Sequence, residues 1–183
     1  MKSPRSLAAV TAAAAVLALL ASPAASAAPP TERTLVDAVD AGASYDVLSV
    51  QLRAATAPGE LAKVVVTHDR RARAGDALDL WFDLDGDRVP DVYLTGLAYS
   101  EYAVYRARSF EGHGRDISDR DCFALTIANR KAVVRFQPDC LGESTSYSVA
   151  VRSSRMGEPA IGADWAPGRE RLSPKVSSYA AEE

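Results

Sequence analysis

Residues 77–84 alternate strictly: Leu78, Leu80, Phe82 and Leu84 fall on one side, Asp79, Trp81 and Asp83 on the other. A two-residue period marks a strand with one face in a core and the other in water or against a ligand. A helix of this length would scatter those four apolar side chains around its axis. Strand signals of this kind recur at roughly ten-residue intervals along the chain. Residues 45–53 set Leu48, Val50 and Leu52 on one side, and residues 61–67 carry Val64, Val65 and Val66 in a row. Residues 92–97 follow, and residues 101–108 alternate through Tyr102, Val104 and Arg106. Residues 122–128 and 132–137 flank Asn129-Arg130-Lys131, which reads as a short hairpin. Residues 147–152 place Tyr147, Val149 and Val151 on one face. The connecting stretches hold breaker residues such as Gly59, Gly86, Gly112 and Gly114. Residues 157–169 read as loop, and residues 171–177 as a last edge strand limited by Pro174. This pattern predicts an all-β chain, a two-layer and mostly antiparallel β-sandwich.

The first 27 residues read as an address. Lys2 and Arg5 precede an apolar run over residues 7–20, and Ala25-Ser26-Ala27 is a small-residue cleavage site. The run is too short and too alanine-rich for a permanent span. The expected organisation is a cleavable signal peptide at 1–27, a lead-in at 28–34, a sandwich domain at 35–177 and a frayed tail at 178–183. Export is the expected localisation, secreted or extracellular, with no membrane span after cleavage. Removing Lys2 and Arg5 takes the basic count from 21 to 19 against 24 acidic residues. Such a surface argues against nucleic acid as a partner, because phosphate binding needs a basic one. Cys122 and Cys140 are an even pair in an exported chain and predict one disulfide.

The turn after residue 83 is the strongest chemical signal. With Asp83 as position 1, Asp85, Asp87 and Asp91 occupy positions 3, 5 and 9. Alternate residues of a tight loop point inward, and calcium takes six to eight oxygens. The spacing resembles a DxDxDG calcium loop but departs from it. Gly86 stands at position 4, Arg88 takes the place of the position-6 glycine, and Leu94 takes the place of the closing glutamate. The flanks are strands, which excludes an EF-hand and leaves a structural β-loop calcium site. A plain solvated turn is the rival reading, since Asp and Gly favour turns for backbone reasons alone. A second acidic group, Asp37, Asp40 and Asp46, reads as Asx turns and edge protection, with extra metal ligands as the alternative.

Trp81 between Asp79 and Asp83 is the ligand candidate, with Asp79 beside it. An aromatic ring next to a carboxylate can pack on and hydrogen-bond to a sugar. The competing expectation covers Trp81 with a loop or the C-terminal segment. Trp165 reads as a pin holding a loop to the sandwich. The two histidines, His68 and His113, read as surface residues. Neither G-x-S-x-G nor H-E-x-x-H accompanies them. The arginines at 70, 71 and 73 read as edge solvation or partners for acids.

The succession DVLSVQL, LAKVVVTHD, ALDLWFDLDGDRVPDVYL, AVVRFQPDCLG, YSVAVRSS and DWAPG resembles small secreted β-sandwich proteins of high-GC Gram-positive bacteria. That resemblance spans residues 35–176 and implies the fold and the export route, with no activity attached. More distantly the chain is similar to DOMON and family-9 carbohydrate-binding β-sandwich modules, although no ligand-binding residue of those families maps cleanly onto it. The expectation is a secreted, non-catalytic domain, calcium-stabilised, that binds an extracellular or cell-wall ligand. The alternatives are a carbohydrate-binding module using Trp81 and a small hydrolase using an acidic pair.

Overall fold

The computed structural model describes residues 30–57, 59–138, 140, 146–157 and 162–177. The signal-peptide and tail assignments lie outside the described residues. Twelve strands form among those described: β1 (Glu32–Val36), β2 (Val47–Arg53), β3 (Ala62–His68), β4 (Asp76–Asp83), β5 (Val92–Leu97), β6 (Tyr102–Ala107), β7 (His113–Asp116), β8 (Phe123–Ala128), β9 (Lys131–Phe136), β10 (Ser146–Arg155), β11 (Asp164–Ala166) and β12 (Val176–Ser177). They build two antiparallel sheets. The first runs β1-β2-β3-β9-β8, and the second runs β11-β10-β4-β5-β6-β7, with β12 also paired to β10.

The alternation in β4 does what its period predicts. Leu78, Leu80 and Phe82 are fully buried between the sheets, opposite Val64, Val66, Val134 and Phe136. Phe82 meets Phe136 edge-on at 5.1 Å and Phe123 at 5.3 Å. Aromatic and aliphatic side chains buried this way stabilise a fold by about 1.5–3 kcal/mol each. Tyr147 crosses the core, and its single hydroxyl proton is shared between the carbonyls of Arg53 and Lys63 in the facing sheet, at 3.0 and 3.1 Å. Gly96 of β5 lets the sheets approach, since a Cβ there would stand 2.5 Å from Leu125 Cδ2 and 3.0 Å from Tyr102 Cβ.

Several boundaries differ from the sequence reading. Leu48 is only half-buried, because a bulge between Val47 and Ser49 shifts the phase and turns both Val47 and Val50 inward. Strand β1 begins inside the expected lead-in, paired along its length to β2. Strand β7 is exposed at every position, so it leaves no hydrophobic pattern to read; pairing with β6 makes it a strand. Strand β11 interrupts the expected loop at 157–169. Of the expected last strand only Val176–Ser177 pairs.

The disulfide Cys122–Cys140 forms, with Cα atoms 5.6 Å apart. It ties the open end of the β8–β9 hairpin, where Gln137 N also donates to Cys122 O. Asn129 turns the other end with a left-handed φ of 55°. No helix among the described residues is long and apolar enough to cross a membrane.

Candidate functional site

The outer face of the second sheet carries a row of aromatic rings set by strand register. Trp81 pairs with Tyr93, and Tyr93 with Tyr105. Successive centroids lie 5.0 and 6.1 Å apart, within the range of favourable ring pairs. Ala150 pairs with Trp81 on the other side and leaves room above its small side chain. Trp165 of β11 stacks on Trp81 at 5.1 Å, and Phe110 of the β6–β7 connection meets both indoles. His113 stacks on Tyr105 at 4.3 Å.

Charge threads this row. Arg152 of β10 reaches Asp79 through Nε at 2.9 Å and Nη2 at 2.8 Å. The Tyr93 hydroxyl donates to the other Asp79 oxygen at 2.6 Å. The same guanidinium stands 5.3 Å from the Trp81 ring and 5.6 Å from the Trp165 ring. Burial, with the Asp79 charge beside it, pushes the Tyr93 phenol up to about 12.

Above this floor lies a cleft of about 600 Å³, walled by the β6–β7 connection on one side and by the segment around β11 on the other. Its rim holds Glu111, His113, Arg169 and Glu170, all exposed. Both tryptophans of the chain line it. Apolar walls with a few convergent polar groups are the usual build of a ligand site.

The sequence reading of Trp81 and Asp79 as direct ligand contacts is corrected in part. Trp81 is 2% exposed and Asp79 3%. Trp81 is the floor, covered by Trp165, Phe110 and Leu172, as the expectation of a covering C-terminal segment had it. Asp79 holds Arg152 in place. The half-exposed surfaces belong to Tyr93, Phe110, Arg152 and Trp165. The sequence reading missed this row, although simple hairpin register could have found part of it. A hairpin centred on Asp87 pairs position 81 with 93, and one centred on Tyr99 pairs 93 with 105. Trp165, Phe110 and His113 arrive by tertiary folding and carry no such signal.

The acidic turn joins β4 to β5 at one end of the same sheet. Asp83 accepts from Gly86 N at 2.6 Å and from Arg88 N at 3.2 Å. Asp91 accepts from Leu84 N at 2.7 Å. Gly86 and Arg88 take left-handed φ values of 84° and 70°, which fold the loop back on Asp83. Carboxylate oxygens of Asp83, Asp85 and Asp91 lie within 4.8 Å of one another, so this cluster could hold a metal ion. Asp87 is not in that group; its Oδ1 accepts from Val89 N at 2.7 Å. Burial first, and neighbouring carboxylates second, hold the Asp83 and Asp91 carboxyls above the ordinary range, against the pull of their backbone donors. None of these four aspartates lines the aromatic cleft.

The second acidic group forms local turns: Asp46 accepts from Asp40 N, and Asp37 from Ala38 N. The structure adds Asp164, which accepts from Val47 N and Trp165 N, each at 2.6 Å, and joins β11 to β2. Arg70 pairs with buried Asp76 at 2.7 Å, which bears out the pairing expected for that basic run. His68 is not a surface residue. It is fully buried, stacked on Tyr45 at 3.7 Å, and burial pushes its imidazole down to about 3, so it is neutral. His113 is exposed, as read.

No protein-family model matches the chain, and no curated protein sequence matches it.

Proposed function

We propose that this chain is an exported, non-catalytic binding module whose ligand is a carbohydrate of the cell surface or its surroundings. The cleft over the outer face of β4, β5 and β10 carries the reading. Its aromatic walls suit the C–H faces of sugar rings, and its guanidinium and carboxylates suit ring hydroxyls. The disulfide Cys122–Cys140 and the signal-like N-terminus support an oxidising destination. The likeness to family-9 carbohydrate-binding modules points the same way, as fold-level analogy only.

A glycan array probed with wild type and Trp165→Ala tests this. We expect specific binding by wild type and its loss in the variant, with the melting temperature recorded for both. Absence of binding to any glycan by wild type would reject the reading. So would binding that survives Trp165→Ala.

A second element belongs to the same proposal. The Asp83–Asp85–Asp91 cluster is read as a structural calcium site that pins the β4–β5 turn, with carboxylate and loop-carbonyl oxygens as the ligand type calcium prefers. Its role would be to offset repulsion among the carboxylates, remote from the ligand.

A further inference from the structure

A second groove adjoins the aromatic cleft at the β6–β7 connection. The two share Gly112 and His113 in their walls. The second groove, about 520 Å³, is bounded by the end of β6 and the start of β7, and it carries Arg106, Arg108 and Arg115. No carboxylate lines it. Arg108 and Arg115 are exposed, and none of the three arginines makes an ion pair or a side-chain hydrogen bond among the described residues. The chain as a whole carries a net charge of −3, so three unpaired guanidiniums in one groove stand against the general sign of the surface.

We infer that the ligand is an anionic glycan chain, with sugar rings in the aromatic cleft and its carboxylate, sulfate or phosphate groups on Arg106, Arg108 and Arg115. This rests on the carbohydrate reading of the cleft and names the substrate class. Guanidinium forks match planar or tetrahedral oxyanions and bind them with two hydrogen bonds at once. The division of charge separates this ligand from a single-stranded nucleic acid, which also combines aromatic and arginine contacts. Glu111 and Glu170 rim the aromatic end. With Arg169 beside Glu170 and Arg152 committed to Asp79, that end offers no net positive charge to a phosphodiester backbone running the whole length, while its glutamates suit sugar hydroxyls as hydrogen-bond acceptors. Charge is wanted at one end only, which fits a glycan with intermittent acidic groups.

The test is calorimetric titration of the disulfide-bonded chain with four probes: cellohexaose, hexagalacturonate, a heparin hexasaccharide and a six-nucleotide oligothymidylate. We expect at least one acidic hexasaccharide to bind about tenfold or more tighter than cellohexaose at low salt, a gap that closes as salt rises. Hexagalacturonate against heparin separates carboxylate from sulfate as the recognised group. Arg106→Gln/Arg108→Gln/Arg115→Gln should reduce acidic binding to the neutral level and leave any cellohexaose binding unchanged. Arg108→Gln/Arg115→Gln, confined to exposed side chains, serves if the half-buried Arg106 proves needed for folding. Equal affinity for neutral and acidic chains, unaltered by the arginine variants, would overturn the anionic inference and leave the carbohydrate reading standing. Acidic binding lost in the arginine variants but indifferent to Trp165→Ala would overturn the carbohydrate cleft instead. Tightest binding by oligothymidylate would overturn both in favour of nucleic acid.

Discussion

Asp79 shows how one buried charge can organise a surface. It is 3% exposed, yet its carboxylate is fully engaged by the Arg152 guanidinium and the Tyr93 hydroxyl. Arg152 is thereby held against two indoles on the cleft floor. Removing the guanidinium leaves a buried carboxylate without its countercharge, a strongly unfavourable state. Arg152→Met is expected to lower stability by about 2 kcal/mol in urea denaturation, below the fully buried figure because the guanidinium is partly open to solvent. Asp79→Asn added to Arg152→Met should recover part of that loss; a double variant no better than the single would contradict the account. Asp164 offers a pH signature at the same scale. Burial pushes its carboxyl up to about 6, against backbone donors that favour the charged form. A carboxyl with a raised folded pKa holds a proton that the unfolded chain releases, so its contribution is full below pH about 4 and is lost as pH rises through about 6. Wild type should therefore lose stability relative to Asp164→Asn across that window, read as melting temperature against pH. A constant difference would refute the assignment.

Strand β4 and the turn that follows it set what an element can disclose before it is folded. The apolar side of β4 was legible because its neighbours all bury the same face. The polar side was legible only in part: a cover over Trp81 was one of two expectations, but the register with β5 and the arrival of Trp165, which supply that cover, leave no mark in the strand itself. Strand β7 escaped because its four exposed residues carry no periodicity, and β2 was read correctly at Val50 and Leu52 but not at Leu48, because the bulge before Ser49 has no strong sequence mark. In the acidic turn, spacing pointed to four ligands, and the folded loop gathers the carboxylates of three, with Asp87 turned toward Val89 N outside the group. That difference gives a test. Calcium at ten times its dissociation constant should stabilise the chelator-treated protein by about 1.4 kcal/mol, or roughly 3–6 °C in a domain of this size. The shift should vanish in Asp83→Asn, persist in Asp87→Asn, and shrink as pH falls and protons compete for the carboxylates. No shift in wild type would remove calcium from the account.

At the scale of the whole molecule, two sheets share one aromatic core, and a second, smaller apolar cluster sits outside it on the β10–β4–β5 face. The segment carrying β11 and β12 lies along the free edge of β10, and Ser173 bridges it there: its N donates to Val149 O, and its hydroxyl accepts from Val149 N. Closing that edge also lays Trp165 over Trp81. The architecture thus makes the cleft out of the same contacts that protect a strand edge. Because the chain has two tryptophans and both line the cleft, its selectively excited tryptophan emission reports on that cleft. The most direct test is a tryptophan-fluorescence titration with a glycan that the array identifies, paired with iodide quenching. We expect a saturable emission change with the affinity found by calorimetry, and protection of Trp165 from quencher in the bound state. Calorimetric binding with no change in tryptophan emission or quenching would place the ligand elsewhere and contradict the account.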